Sequence, residues 1–293
     1  MHELKKCPLC GSEHFELELE VKDHMTSKET FSIQKCTDCD FLFTSPRPEM
    51  DKIGAYYESD DYISHSNTKK SLFDMAYHMV RNRAIKQKEK LAFSRVSSRG
   101  KLLDYGCGTG EFLGHAQTKG WTTLGVEPSP RAAQQAQENQ NLKVVSPDDF
   151  ISDDSISGFD VITMWHVLEH LDDPVEKLKM FNKRLNEGGS LIVAVPNYES
   201  LDAVKYGSYW AAWDTPIHFS HFSKKTMKDA ASRSGFAVDK IINMPFDSYY
   251  VSLLSEKYKG GNPISAMLTG LQSNLAGLKE NQSSLIYVLT KLK

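Results

Sequence analysis

Leu102-Leu103-Asp104-Tyr105-Gly106-Cys107-Gly108-Thr109-Gly110-Glu111-Phe112-Leu113 decides the fold. It begins as a short apolar strand, passes three glycines at alternate positions after Asp104, and turns helical from Gly110. Glycine tolerates positive φ and lets the backbone pass close to a ligand. In an open parallel sheet such a loop lies beyond the carboxyl end of the first strand, where strand order reverses and ligands bind. Seventeen residues after Gly110, Glu127 ends the next strand, where a carboxylate can accept both hydroxyls of a ribose. The G-x-G-x-G spacing, with Asp104 two residues upstream, departs from the G-x-G-x-x-G fingerprint of dinucleotide enzymes. A carboxylate on that strand end repels a pyrophosphate and suits a cationic aminoacyl group.

Working outward, apolar runs at 101–105, 122–127, 142–145, 159–164 and 190–195 read as strands. Helices are predicted between them at 110–119, 129–139 and 174–186, the last closed by Gly188-Gly189. Continuous apolar strands separated by helices mean an α/β fold with a parallel sheet covered on both faces. A helix at 224–234, a strand at 236–242, a mixed helical stretch at 247–279 and a final strand at 285–290 complete a doubly wound, seven-stranded, Rossmann-like sheet. Upstream, 68–95 reads as one helix with Leu72, Met75, Ala76, Met79, Ala84 and Leu91 on its apolar side. Its other side carries Lys69, Lys70, Arg81, Arg83, Lys86, Lys88 and Lys90, read as a solvated basic face, with phosphate contact the alternative. Residues 46–66 form a connector with Pro46-Arg47-Pro48, Tyr56-Tyr57 and Tyr62.

A chain of 293 residues with 40% hydrophobic and 25% charged residues is ordinary for a globular protein of one large and one small unit. A net charge of −3 speaks against a dedicated nucleic-acid binder. The N-terminus reaches Cys7 without an apolar leader and no run approaches a membrane span, so a cytoplasmic protein with no membrane partner is expected. In that compartment thiols stay reduced and paired cysteines serve as metal ligands. Cys7-Pro-Leu-Cys10 and Cys36-Thr-Asp-Cys39 are two knuckles 25 residues apart, each able to aim two thiolates at one tetrahedral zinc. Four thiolates close the shell, which implies a structural Zn²⁺. Phe15, Leu17, Leu19 and Val21 alternate along one arm of the intervening hairpin, while His14 and His24 read as surface residues.

Over residues 100–245 the sequence resembles the class I S-adenosylmethionine (SAM) dependent methyltransferases. Asp104 to Gly110 looks like their first motif, Gly125-Val126-Glu127-Pro128-Ser129 like their second, and Phe159-Asp-Val-Ile-Thr-Met-Trp165-His166-Val-Leu-Glu169-His170-Leu171 like their fourth. The resemblance implies that Gly106, Cys107, Gly108 and Gly110 line the aminoacyl part of SAM, Asp104 orients its ammonium, and Glu127 with Pro128 holds the ribose. Asp148-Asp149-Phe150 would meet adenine through one of the two carboxylates and a backbone amide, with Asp149 and Phe150 assigned to the site. Trp165 and His166 would lie under the methionine chain. Cys107 is read as a cofactor-loop residue rather than a nucleophile, since no base is evident nearby. The fourth motif lacks an Asn-Pro-Pro-Tyr element, which argues against methylation of nucleobase amines.

The knuckles, the Pro-Arg-Pro and the Tyr-Tyr pair together resemble a narrower group: methyltransferases with an N-terminal cysteine-knuckle domain, some acting on nucleotide-linked deoxysugars. The aromatic stretch Trp210 to Ser223 follows the fifth strand, where an acceptor approaches. In it His218 resembles the base histidine of sugar C-methyltransferases, while Thr215 and Ile217 stand where those enzymes have Tyr and Glu. His218 alone is therefore expected to act on the acceptor, and His221 to be structural. The expected layout is a zinc ribbon at 1–45, a connector and helix at 46–98, and a SAM-binding domain at 99–293 with acceptor insertions at 197–222 and 245–282. The expected activity is methyl transfer to a small-molecule acceptor such as a sugar or glycan precursor. The alternatives are a zinc-bearing rRNA methyltransferase and a SAM-binding regulatory protein without turnover.

Overall fold

Alternating apolar residues in the N-terminal segment do form a hairpin: β1 (Phe15–Lys22) pairs antiparallel with β2 (Thr30–Cys36). A register shift between Leu17 and Leu19 breaks the alternation, so Val21 is buried while Leu17 is exposed. β3 (Leu42–Thr44) adds to β2. The computed structural model describes residues 1–49, 52–57 and 72–292. Tyr62, Lys69, Lys70 and the start of the helix expected from residue 68 lie outside the described residues, as do the side chains of Leu72, Met75, Ala76 and Met79.

The helix is α1 (Leu72–Phe93). Its buried Glu89 accepts from the Trp121 indole at 3.2 Å and from Arg99 at 2.9 Å, which ties α1 to the sheet. The solvated basic face needs correction. Lys88 Nζ lies 4.4 Å over the Trp165 ring, Arg81 pairs with Glu111, and only Arg83, Lys86 and Lys90 of the described basic residues are exposed. Docking of α1 against the sheet, where Ala92 packs with Leu102 and Glu89 meets Trp121, draws Lys88 inward.

The chain continues as β4 (Lys101–Tyr105), α2 (Glu111–Thr118), β5 (Thr122–Val126), α3 (Pro130–Gln140), β6 (Val144–Val145), α4 (Pro147–Ser152), β7 (Phe159–Trp165), α5 (Pro174–Arg184) and β8 (Leu185–Pro196). After α6 (Leu201–Tyr206) and β9 (Ser220–His221) come α7 (Lys224–Arg233), β10 (Phe236–Asn243), α8 (Asp247–Lys259), α9 (Pro263–Ala276) and β11 (Ser284–Lys291). The large sheet has seven strands in the order β10-β11-β8-β7-β4-β5-β6. β4 to β8 run parallel, and β11 is antiparallel to both neighbours. This is the doubly wound Rossmann-like methyltransferase sheet expected from the sequence.

Gly188-Gly189 does not close α5. The helix stops at Arg184, whose guanidinium donates to the carbonyls of Asp153, Ile156 and Phe150 and fixes the chain there. The glycines fall inside β8, where pairing jumps from Phe159↔Leu185 to Val161↔Ser190. The 197–222 insertion also differs from a free acceptor loop. Its strand β9 pairs with β3 (Leu42↔His221, Phe43↔Ser220), so the insertion supplies the fourth strand of the N-terminal sheet. Trp210 and Trp213 pack with Val21, Ile33 and Leu42 in that sheet's core. His24, expected at the surface, stacks on Tyr258 of α8 with ring centroids 4.4 Å apart. α9 turns Ile264, Met267, Leu268, Leu271 and Leu275 outward. Among the described residues no helix is long and apolar enough to cross a membrane.

Candidate functional site

At the carboxyl end of β4, Asp104 is buried and accepts from Thr163 Oγ1 at 2.6 Å. Burial pushes its carboxyl up to about 7, against the Thr163 hydrogen bond and the Lys88 charge. Gly106, Gly108 and Gly110 take φ of 78°, 55° and 82°. A Cβ on Gly106 would meet Val167 at 2.5 Å and one on Gly110 would meet Leu142 at 2.5 Å, whereas Gly108 faces open space. The Gly108 amide donates to Glu127 Oε2 at 2.8 Å and the Ser129 amide to Oε1 at 2.9 Å, which fixes the Glu127 carboxylate at the edge of the loop. Trp165, at the end of β7, stands edge-on to Phe112, its indole N–H buried without a partner among the described residues. Asp104, the glycines, Glu127 and Trp165 lie at or just beyond the carboxyl ends of β4, β5 and β7, with Pro128 exposed beside Glu127.

Other expected residues sit elsewhere. The Cys107 thiol is buried beneath the loop against Gly125, and burial raises its pKa. Ser146 caps α4 and winds 148–150 into helix, so the Phe150 amide is spent on Ser146 O and its ring is fully buried. The Asp149 carboxylate accepts from Ser146 Oγ at 2.6 Å. It lines a hollow with Lys101, Thr122 and Phe159, the first residues of β4, β5 and β7, at the end of the sheet opposite the glycine loop.

Beyond Trp165 opens a cavity of about 600 Å³. Its walls come from Asp23, Met25 and Tyr56 on the N-terminal side, from the segment Ala211 to His218, and from α8 through Asp247, Tyr250 and Tyr258. His166 reaches it with both ring nitrogens paired, Nδ1 to Glu169 Oε1 at 3.2 Å and Nε2 to Asp247 Oδ2 at 3.0 Å. Burial opposes its charge, but the two carboxylates prevail and lift its pKa to about 10. With both nitrogens so occupied, it bridges Glu169 and Asp247.

His218 is the opposite case. Burial, with His170 and His221 adding, lowers its pKa well below the ordinary value. Its Nδ1 lies 3.0 Å from Ala212 O, and a carbonyl only accepts, so Nδ1 carries the proton and Nε2 keeps a lone pair. His170 Nδ1 lies 3.1 Å from both Ile217 O and the Tyr57 hydroxyl, and its ring stands edge-on to His218 at 4.5 Å. Asp214 Oδ2 lies 4.0 Å from His218 Nε2; burial, then Asp23 and Glu169, push that carboxyl up to about 7. His221 is buried, with Nε2 3.0 Å from Thr44 Oγ1, consistent with a structural role. Sequence reasoning missed Lys88, Glu169, Asp214 and Asp247. Glu169 adjoins His170 in the fourth motif and was within reach, but Asp247 meets His166 across 81 residues and carries no local signal.

The four knuckle cysteines converge. Sγ of Cys7 and Cys39 are 3.6 Å apart, as are those of Cys10 and Cys36, and all four lie within 4.8 Å of one another. A tetrahedral zinc with bonds of about 2.3 Å has sulfur–sulfur edges of about 3.8 Å, so the cluster fits a zinc ribbon. The amides of Leu9 and Cys10 face the Cys7 sulfur, whose pKa burial nevertheless raises to about 12.

A family model described as a methyltransferase domain matches residues 77–241. A ubiquinone biosynthesis O-methyltransferase from Caulobacter sp. (strain K31) is 29% identical over 184 residues, 58% of this chain and 71% of its own length. An uncharacterized methyltransferase from Bacillus cereus (strain 03BB102) is 28% identical over 107 residues, 36% of this chain and 50% of its own length. Among solved structures, a putative sarcosine dimethylglycine methyltransferase from Galdieria sulphuraria superimposes with a TM-score of 0.52 at 15% identity, over 72% of this chain and 86% of that one. A SAM-dependent methyltransferase from Archaeoglobus fulgidus gives 0.50 at 19% identity, over 75% of this chain and 100% of that one. At these identities the two structures speak to the fold alone.

Proposed function

Since the chain belongs to the methyltransferase-domain family, we propose that it methylates a small-molecule acceptor held in the cavity beside His218, with SAM bound over the glycine loop. The residues fit that cofactor. Gly108 faces open space and its amide holds the Glu127 carboxylate, while Asp104 lies at the end of the strand before the loop, which suits a ligand with an ammonium at one end and a diol at the other. When bound, SAM supplies a methyl group on a sulfonium. In this reading Asp104 takes the ammonium, Gly106, Gly108 and Gly110 line the aminoacyl part, Glu127 holds the ribose, and Trp165 forms the floor. Cys107 contributes backbone only. The adenine contact falls to the Asp148-Asp149-Phe150 segment, where Ser146 Oγ holds the Asp149 carboxylate at 2.6 Å.

The observation that carries the reading is adjacency. His166 directly follows Trp165 and lines the cavity, so the cofactor hollow and the acceptor cavity share one wall. Walls made from the N-terminal segment, the 197–222 insertion and α8 surround the acceptor on three sides and align it. The His218 lone pair serves as base or orienting acceptor for a hydroxyl, as in a sugar or glycan precursor. Asp23, Asp214 and Asp247 in the wall disfavour an RNA backbone there. Residues 1–45 act as a ribbon holding one structural Zn²⁺ through Cys7, Cys10, Cys36 and Cys39, in a compartment that keeps thiols reduced.

The test is methyl-labelled SAM offered to separated small-molecule and RNA fractions. Label is expected in the small-molecule fraction, and label confined to RNA overturns the reading. His218→Asn is expected to lower kcat by about 10²–10⁴ with SAM affinity near wild type.

A further inference from the structure

We propose that Glu169, His170 and His218 form a second metal site, distinct from the cysteine cluster, that binds a divalent first-row cation in the wall of the acceptor cavity. One ligand atom from each residue lies within 4.8 Å of those of the other two, so a single ion can reach all three. Both imidazoles are pre-set for this. His218 donates its Nδ1 proton to Ala212 O, which leaves Nε2 as its bare donor, and the His170 ring is held in place at Nδ1 by Ile217 O and the Tyr57 hydroxyl, each 3.1 Å away. Ligand histidines are held and oriented in this way by the partner of their second nitrogen.

Glu169 supplies an independent observation. It is 1% exposed, and its Oε2 has no hydrogen-bond partner among the described residues. A buried carboxylate oxygen left bare is costly, and buried polar atoms are rarely left so. The other oxygen, Oε1, is held at 3.2 Å by His166, itself anchored 3.0 Å from Asp247. The carboxylate is therefore oriented by a chain of partners that occupies one oxygen and spares the other. Asp23 adds a further carboxylate to the same cavity.

Two imidazoles and one carboxylate suit Mn²⁺, Fe²⁺, Co²⁺ or Zn²⁺, whereas the four-thiolate cluster selects zinc. Three protein ligands leave positions open toward the cavity. An acceptor carrying a hydroxyl beside a second oxygen donor, such as a vicinal diol, fits those positions. The ion lowers the pKa of the bound hydroxyl, whose proton passes to solvent water. The oxygen then forms its bond to the methyl carbon as the carbon–sulfur bond breaks and the electron pair returns to sulfur. This rests on the cavity being the acceptor site, and has the His218 lone pair orient the hydroxyl through the ion.

The experiment titrates Mn²⁺ into the full chain with its ribbon zinc in place, followed by calorimetry and by the electron paramagnetic resonance of free Mn²⁺. Mn²⁺ avoids thiolates, so the ribbon does not compete. One saturable ion per chain is expected, with binding weakened about 10–100-fold in Glu169→Gln and in His170→Gln. The wild-type titration needs no variant to fold. No saturable binding of Mn²⁺ or Co²⁺, or unchanged binding in both variants, overturns the proposal. Methyl transfer that persists without a second ion sinks the metal site and leaves the proposed function standing. Saturable Mn²⁺ binding in a protein that methylates no small molecule does the reverse.

Discussion

Glu127 and Asp104 are two carboxylates a few ångströms from the same loop, and their surroundings give them different work. Glu127 has each oxygen on a main-chain amide, so it stays in place and offers its remaining lone pairs outward. Glu127→Ala is expected to weaken SAM binding by about 1.5–3 kcal/mol, the scale of charge-assisted hydrogen bonds. The check is calorimetric titration, and an unchanged affinity removes the residue from the site. Asp104 is buried with Thr163 as its close partner, Lys88 of α1 facing it as a cation and Glu127 as an anion. Its carboxyl rises from the ordinary 3.8 to about 7. Between those values the folded chain holds a proton that the unfolded chain has lost, so Asp104's contribution to stability falls as pH climbs through that window. SAM's ammonium favours the ionised form, so affinity is expected to rise from about pH 5 to pH 8 with release of a proton on binding. Calorimetry at pH 6 in two buffers of different ionisation enthalpy checks this. Asp104→Asn should abolish the proton release, and a wild-type protein that binds SAM without releasing a proton contradicts the assignment.

Elements differ in how much of themselves the sequence displays. β4, the glycine loop and α2 are contiguous, so strand periodicity, three glycines and a helix start can be read in a dozen residues. The twin knuckles are equally local. β9 is two residues long and exists because β3 lies beside it, almost 180 positions earlier, so no pattern announces it. The aromatic run at 210–222 looked like an acceptor lining because large apolar side chains beyond a sheet need cover. The cover is the N-terminal sheet, a long-range partner, and the run's small and polar members face the cavity instead. Lys88 misled for the same reason: helical spacing assigns a face, while docking decides what that face meets. The β3–β9 junction also sets the position of His218. Thr44 Oγ1 donates to His218 O at 2.7 Å and lies 3.0 Å from His221 Nε2. Thr44→Val keeps the shape and strands two buried polar groups, so a loss of about 1–3 kcal/mol is expected. Urea denaturation measures it, and a loss near zero would mean that the junction does not hold the loop.

Seen as a whole, the molecule has two centres joined at one wall. The proposed cofactor site belongs to the large sheet, at the carboxyl ends of β4, β5 and β7 and the residues that follow them. The acceptor cavity is shared, because Asp23 and Met25 belong to the ribbon hairpin and His218 hangs from β3 through Thr44. Part of the ribbon's core is shared: Val21, Ile33 and Leu42 cluster with Trp210 and Trp213 of the insertion. Its order depends on the cysteine cluster, since in small metal modules binding energy is folding energy. Removing the ribbon zinc should loosen residues 1–45 first and open the acceptor cavity, while the large sheet keeps its own buried strands. A mercurial reagent that titrates thiols releases this ion and spares a histidine–carboxylate site. With one zinc released per chain, acceptor turnover is expected to collapse, and SAM affinity to stay within about threefold because none of its expected contacts lies before residue 88. Hydrogen exchange should show protection lost in β1–β3 and β9 and retained in β4, β5 and β7. Three results would each break the coupling: no zinc released, turnover intact after release, or SAM binding lost in parallel with it. The last would mean that the ribbon supports the whole sheet. The contacts argue otherwise, because β9, Phe222 and the Lys225–Asp40 pair tie it to the insertion and α7, away from the glycine loop.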